Sequence, residues 1–419
     1  MDDDERGMSA ACERYWVEVI QPEALMAGRS RMASGLEDLY VRRLRLPDGR
    51  ERAHALRDAL VDAVLIEIGH DGQLPHLGVV RMVLKARSLA ASIPSGHAIY
   101  LIGDHYSANM RPQNLHLGIP LRGVDSDHVK SPLILPVGPR RGHVPFHRLP
   151  PPEQSALDGL ERRAEAWVAH NARHARNPSA ARVVNARLRE QFDLLRRSSA
   201  LTTSFGDWLM RVQILWFDAL YGGAPERLVV LPMTGIVEWL PDVLGEIAAL
   251  GPIPGAAGMT RASGDDRSEE RPSGSFWIYC RNCFRRHRAT WEEGRFVGAC
   301  SSCRTALEAR WPEEAGWVMP DVVACEMALF RAGIAGWVVG SRADYIDAIR
   351  RGYRDRFQRE MPPVFFLQSM PRFHGLGEPS DGHARARLFR VLLELDPREI
   401  RNALEAPWSA DPVLRSSFL

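Results

Sequence analysis

Residues 61–105 read VDAVLIEIGHDGQLPHLGVVRMVLKARSLAASIPSGHAIYLIGDH, and their pattern decides the fold. Val61 to Ile68 is a short apolar run rich in β-branched residues, the composition of a buried strand. It breaks at Gly69, and a polar turn leads to Pro75-His76-Leu77-Gly78. From Val79 to Ala90 apolar residues recur at helical spacing, at Val79, Val80, Val83, Leu84 and Leu89. Ala98 to Ile102 is a second apolar run, ending at Gly103-Asp104-His105. Strand, glycine turn, helix and strand make a βαβ unit, which requires a parallel sheet. Ligands bind such sheets at the carboxyl ends of the strands, so the polar clusters 69–78 and 103–109 are expected to share that edge. A helix N-terminus beside the first cluster favours an anionic group such as phosphate. The same residues are compatible with a plain βαβ unit carrying surface histidines.

The chain around this unit is long enough, at 419 residues, for two or three domains with ample core. Hydrophobic content of 45% and charged content of 25% are those of a globular protein. A net charge of +2 gives no global electrostatic footprint for nucleic acid. No apolar run is long enough to span a bilayer, and MDDDERGMSAACERYW lacks the basic and apolar regions of a signal peptide. A cytoplasmic protein is the expectation. Lys85 and Lys130 are the only lysines, against 52 arginines, which reads as nucleotide composition rather than function.

Outward from the unit, residues 1–60 read as polar helices with Leu36, Leu39, Leu44 and Leu46 as their apolar minority. After His105, Asn109, Arg111, Asn114 and His116 lie where a substrate pocket would open, or on a structured surface loop. Residues 137–149 hold Arg140, Arg141, His143, His147 and Arg148, which could meet a phosphate. A solvated loop is the expectation there. Residues 138–250 are expected to form a mainly helical insertion, with a strand at Arg227–Met233. The Trp and Met residues of this region are expected in the core. Residues 251–275 have the composition of a flexible linker.

The most specific signal is Cys280-x2-Cys283 and Cys300-x2-Cys303, sixteen residues apart. Zinc takes four thiolates in a tetrahedron, and each CxxC turn presents two sulfurs to one ion. Between them Thr290-Trp291, a turn at Glu293-Gly294 and Arg295–Val297 read as a hairpin. The spacing predicts a zinc ribbon over 276–318, with a structural ion because no ligand position is left for water. Paired disulfides are the alternative, disfavoured in a reducing compartment. Cys12 and Cys325 stand apart. Beyond the ribbon, 319–419 reads as a helix at Met319–Leu329, a strand at Gly336–Gly340, a helix through Ile346, Ile349 and Tyr353, and a strand at Met361–Leu367. Two short helices, 384–394 and 397–404, are expected to follow.

Pro75-His76-Leu77-Gly78 resembles the HIGH motif of the class I aminoacyl-tRNA synthetase superfamily, with Val79 where the second histidine would stand. The spacing from Gly69 to His76 resembles the class I lysyl-tRNA synthetases. Gly69-His70, Lys85-Ala86, Ser88-Leu89-Ala90 and Asp104-His105 resemble the cysteine-adding enzyme BshC of bacillithiol synthesis. The resemblance implies an α/β, Rossmann-like parallel sheet interrupted by a helical insertion and a zinc ribbon. Its first half would lie in 1–137 and its second in 319–419, with Val61–Ile68 and Gly336–Gly340 in one sheet. It further implies an ATP-dependent ligase that activates an amino acid, with Mg2+, and passes it to a small acceptor in a biosynthetic pathway. Gly69, His70, His76, Gly78, Gly340, Asp344 and Arg372 would bind the nucleotide. His76, Asp104 and His105 would be the catalytic residues, with Asp104 also holding the amine, and Tyr106 and Asn109 would bind the substrate. Condensation without ATP is a near variant. Transfer RNA is a further partner of such enzymes, but residues 380–419 are too few for an anticodon-binding domain, and no lysine follows residue 130 to supply a KMSKS loop. The alternative is a non-catalytic synthetase-like zinc-ribbon protein that binds RNA or a protein partner.

Overall fold

The computed structural model describes residues 3–18, 22–71, 77–109, 135, 137, 141–172, 180–221, 227–251, 275–339 and 344–366. Helices come first: α1 (Asp3–Glu18), α2 (Pro22–Glu37), a π-helical turn (Asp38–Arg43) and α3 (Gly49–Asp62). Leu36, Leu39, Leu44 and Leu46 are their buried anchors. β1 (Val64–Asp71) begins later than the apolar run, because Val61 and Asp62 still belong to α3. α4 (Leu77–Ala91) and β2 (Gly96–Gly103) complete the βαβ unit. The two strands pair in parallel from Val64↔Gly96 to Asp71↔Gly103. The crossover is tight at Gly96, where a Cβ would meet the Ala90 carbonyl oxygen at 2.2 Å. Only glycine lets a helix end back so closely onto a strand start.

Three helices follow: α5 (Gln154–Ala172), α6 (Ala180–Leu201) and α7 (Phe205–Tyr221). They enclose a small core of their own around Leu160, Phe192, Leu195 and Trp208, closed by Phe146 and Leu149. The 137–149 segment is therefore not a solvated loop: two of its apolar side chains are buried in this core. β3 (Leu228–Pro232) then pairs in parallel with β2. Within 138–250 the described residues between Gln154 and Tyr221 are thus mainly helical, and Leu228–Pro232 is a fully buried strand of the sheet. The helices interrupt the first half of the sheet rather than separate the halves.

Two short helices, α8 (Ile236–Trp239) and α9 (Pro241–Ala249), lead to a second sheet. Its strands are β4 (Phe276–Tyr279), β5 (Arg286–Glu292), β6 (Arg295–Cys300), β7 (Thr305–Arg310) and β8 (Val318–Pro320). They run in the order β7-β6-β5-β4-β8, every pair antiparallel. The helix expected over Met319–Leu329 starts later than the sequence suggests. Val318–Pro320 pairs with β4, and the Asp321 carboxylate then accepts from the N–H groups of Val323 and Ala324. That cap opens α10 (Val322–Arg331).

β9 (Ile334–Val339), α11 (Asp344–Phe357) and β10 (Val364–Phe366) complete the described chain. β9 pairs with β1 and β10 with β9, both in parallel. The first sheet therefore has five parallel strands in the order β10-β9-β1-β2-β3. From β1 the chain steps outward to β3, returns past β1, and steps outward again on the other side. The expectation that 61–68 and 336–340 meet in one sheet holds through Leu65↔Ile334 and Glu67↔Trp337. In open parallel sheets such a reversal of strand order, here between β1 and β9, is where ligands bind. One continuous core runs from this sheet into the second. Among the described residues no helix is long and apolar enough to cross a membrane.

Candidate functional site

The four cysteines form the best-defined centre. Cys280 and Cys283 lie on the turn from β4 to β5, Cys300 and Cys303 on the turn from β6 to β7. The residue after each second cysteine, Phe284 (φ 60°) and Arg304 (φ 53°), is left-handed. The two turns thus share one backbone solution, which folds each CxxC around a common point. All four sulfurs lie within 4.8 Å of one another. The Cys283 and Cys300 sulfurs are 3.6 Å apart. Four thiolates at about 2.3 Å from zinc would stand about 3.8 Å apart along a tetrahedral edge, whereas a disulfide needs about 2.0 Å. The N–H of Cys303 donates to the Cys300 sulfur at 3.3 Å. The cluster is positioned to hold a metal ion such as zinc.

A second polar cluster occupies the carboxyl end of β2. Asp104 is buried, and both its oxygens accept from Thr234, one from the backbone N–H at 2.9 Å and one from the hydroxyl. Burial pushes its carboxyl up to about 6, although the Thr234 bonds and the charge of Arg43 pull the other way. Arg43 itself is ion-paired to Asp207 at 2.7 Å. Gly206, at the start of α7, allows this packing. A Cβ there would sit 3.0 Å from the Asp104 Cβ and 3.2 Å from the His147 Cα. His147 places Nδ1 3.4 Å from the Asp104 carbonyl and accepts from the Arg148 Nε at 3.2 Å. Burial and the neighbouring Arg148 push its imidazole down to about 4, so it is neutral. Arg148 stacks over Trp317, 3.8 Å from the ring centre.

The sequence-derived residues divide among these places. His105 is buried, its ring packed on Tyr106 at 4.0 Å, and its carbonyl accepts from the Tyr279 hydroxyl at 2.9 Å. That bond ties the carboxyl end of β2 to the cysteine sheet. Asn109 is exposed beside His143, with 3.2 Å between its amide nitrogen and Nε2. Gly69 and His70 lie in β1, Gly78 in the first turn of α4, and Asp344 opens α11. His76, Arg111, Asn114, His116, Lys130, Gly340, Arg372, the 252–274 linker and the C-terminal helices lie outside the described residues. Sequence reading passed over two acids that the fold brings together, Glu67 in β1 and Glu326 in α10, both buried. The signal was present: each is a lone acid inside an apolar run, VLIEIG and VACEMALF. Compared with known protein families and with curated proteins, the chain has no match.

Proposed function

We propose that the chain is an ATP-dependent ligase of the class I synthetase type, built on a Rossmann-like fold with a structural zinc ribbon. It activates an amino acid as an adenylate and transfers it to a small acceptor. The observation that carries this reading is the strand order β10-β9-β1-β2-β3, with its reversal between β1 and β9. Nucleotides are held at such reversals, at the carboxyl ends of the strands. The residues that carry the resemblance lie at or after those ends in sequence: Gly69 and His70 in the last residues of β1 and His76 to Gly78 beyond it, Gly340 to Asp344 after β9, and Arg372 after β10. The cysteine sheet lies between the third and fourth strands of the parallel sheet, the place of the zinc-binding insertion in class I lysyl-tRNA synthetases.

In this reading His76 and the N-terminus of α4 hold the phosphates, with Mg2+, and positioning and charge stabilisation do most of the catalytic work. Asp104 takes a different role from the one the resemblance implies. With both oxygens engaged by Thr234, it fixes the turn after β3 and acts as a positioning residue. Asn109 and His143, at the exposed side of the same edge, are the groups offered to the acceptor. An ATP–pyrophosphate exchange assay across the proteinogenic amino acids tests the reading, with His76→Ala as the control expected to abolish exchange. If calorimetry detects no ATP binding, the reading fails. A second reading, a non-catalytic RNA-binding protein, is favoured by Arg281 and Arg148 flanking Trp317 at 5.1 and 3.8 Å. Binding of bulk tRNA without ATP binding would select it.

A further inference from the structure

Glu67 stands mid-strand in β1, between Ile99 of β2 and Trp337 of β9. Glu326 stands in α10, whose residues from Val323 to Phe330 are all buried. Glu67 is 0% exposed and Glu326 3%. The two meet beside Gly69: the point where its Cβ would stand lies 3.2 Å from Oε1 of Glu67 and 3.5 Å from Oε1 of Glu326. Neither oxygen of Glu67, nor Oε2 of Glu326, has a hydrogen-bond donor.

Among the described residues, the immediate strand neighbours supply no cation. Ile99 and Trp337 are uncharged, and Cys325 is a thiol whose pKa is pushed well up by burial and the nearby acids. At the start of α10 Asp321 is occupied by Arg288 at 3.1 Å, and at its end Arg331 is occupied by Glu246 at 3.2 Å. On α11, Asp347 is paired with Arg350 at 2.9 Å on the surface. Two carboxylates in contact in a dry interior cannot both be charged: burial and mutual repulsion each favour the protonated form. One proton held between them converts the contact into an O–H···O hydrogen bond with an ionised acceptor, the strong kind. The missing donor is thus the dyad's own proton.

We propose that Glu67 and Glu326 form a proton-dependent latch that closes α10 onto the central strand. With the proton in place the helix seats on β1. When it leaves, two facing negative charges push the helix away. α10 joins β8 of the cysteine sheet to β9 of the parallel sheet, so opening the latch loosens the junction between the sheets. This inference is independent of the nucleotide reading and survives its failure.

Burial pushes Glu67 up to about 7, and burial and then Glu67 raise Glu326. A carboxyl whose folded value is raised contributes stability that is complete below its ordinary value and is lost as pH rises through the folded one. The test is urea denaturation of the full chain from pH 5.5 to 8.5, with hydrogen exchange of the 323–330 amides. The wild-type folding constant is expected to fall by up to about tenfold per pH unit while the folded chain keeps the shared proton that the unfolded chain has lost, and to level off once the folded chain releases it. Exchange in α10 should accelerate beyond the intrinsic pH effect. Glu67→Gln and Glu326→Gln each keep the shape, supply an N–H donor and should flatten both trends. Where a single variant does not fold, the double variant, neutral at both positions, replaces it. A flat wild-type profile, or a Gln variant that keeps the wild-type slope, overturns the proposal.

Discussion

The amino and carboxyl ends of the parallel sheet solve the problem of buried charge in opposite ways. At the amino ends Arg29 is fully buried. Its guanidinium donates to the carbonyls of Val61 and Ala63, which precede β1, and of Ala332 and Gly333, which precede β9. These are the closing turns of α3 and α10, where helix dipoles present partial negative charge. The face of the guanidinium rests on Trp16, 4.5 Å away. Every nitrogen has an acceptor, and one residue clamps the entrances to the two central strands. Further along, Glu67 at mid-strand and Glu326 beside it are as deeply buried, but three of their four oxygens lack donors, and at the end of β2 the Asp104 carboxylate is held by Thr234. The lesson is a division of labour. The amino end is closed and serves cohesion, while the carboxyl end keeps groups whose charge can still change, where ligands of such sheets bind.

The sharpest way to break this contrast is Arg29→Leu. It strands four carbonyls and should lower stability by about 3–5 kcal/mol in chemical denaturation, the scale for removing a member of a buried charged network. A loss below about 1 kcal/mol would show that the amino end does not carry the load assigned to it. Next is Asp104→Ala, which removes the acceptor from the Thr234 N–H. A loss of about 1–3 kcal/mol is expected in the same measurement, with Asp104→Asn costing less because it retains an acceptor.

A smaller effect is expected at His147, and its sign opposes that of the Glu67 pair. Its folded value of about 4 lies below the ordinary one. The unfolded chain therefore takes up the proton first, and stability falls as pH drops from about 6.5 towards 4. His147→Phe should flatten that fall in a pH series of denaturation curves. An unchanged slope would remove His147 from the cluster's titration. The smallest effect belongs to the surface of the cysteine sheet. Arg295 and Glu308 are paired at 3.2 Å but about half exposed, and Arg295→Ala should move stability by less than about 0.5 kcal/mol.

Much of the fold was legible because its strands are buried on both faces. VLIEIG, HAIYLIG, LVVLP and IAGWVV read as near-continuous apolar runs, and helical spacing between them implied parallel pairing. The four cysteines were legible because ligand spacing is a local property. Three features were not. Residues 137–149 are rich in Arg, His and Pro, so their composition argued for water. Yet Phe146 and Leu149 turn inward because α7 offers Phe205 and Gly206 N–H groups to the carbonyls of Leu149 and Phe146. The start of α10 was misread because a three-residue strand pairs only with a partner some forty residues away. The meeting of Glu67 with Glu326 requires the whole path through the second sheet, which no window of sequence contains.

That path has a consequence for how the chain is made. β1, β2 and β3 leave the ribosome first, but β9, the neighbour that covers the other side of β1, emerges only after the whole cysteine sheet. Until then the growing chain carries a half-built sheet whose open flank at β1 can pair with another strand, so crowding of nascent chains bears on yield before the sheet is finished.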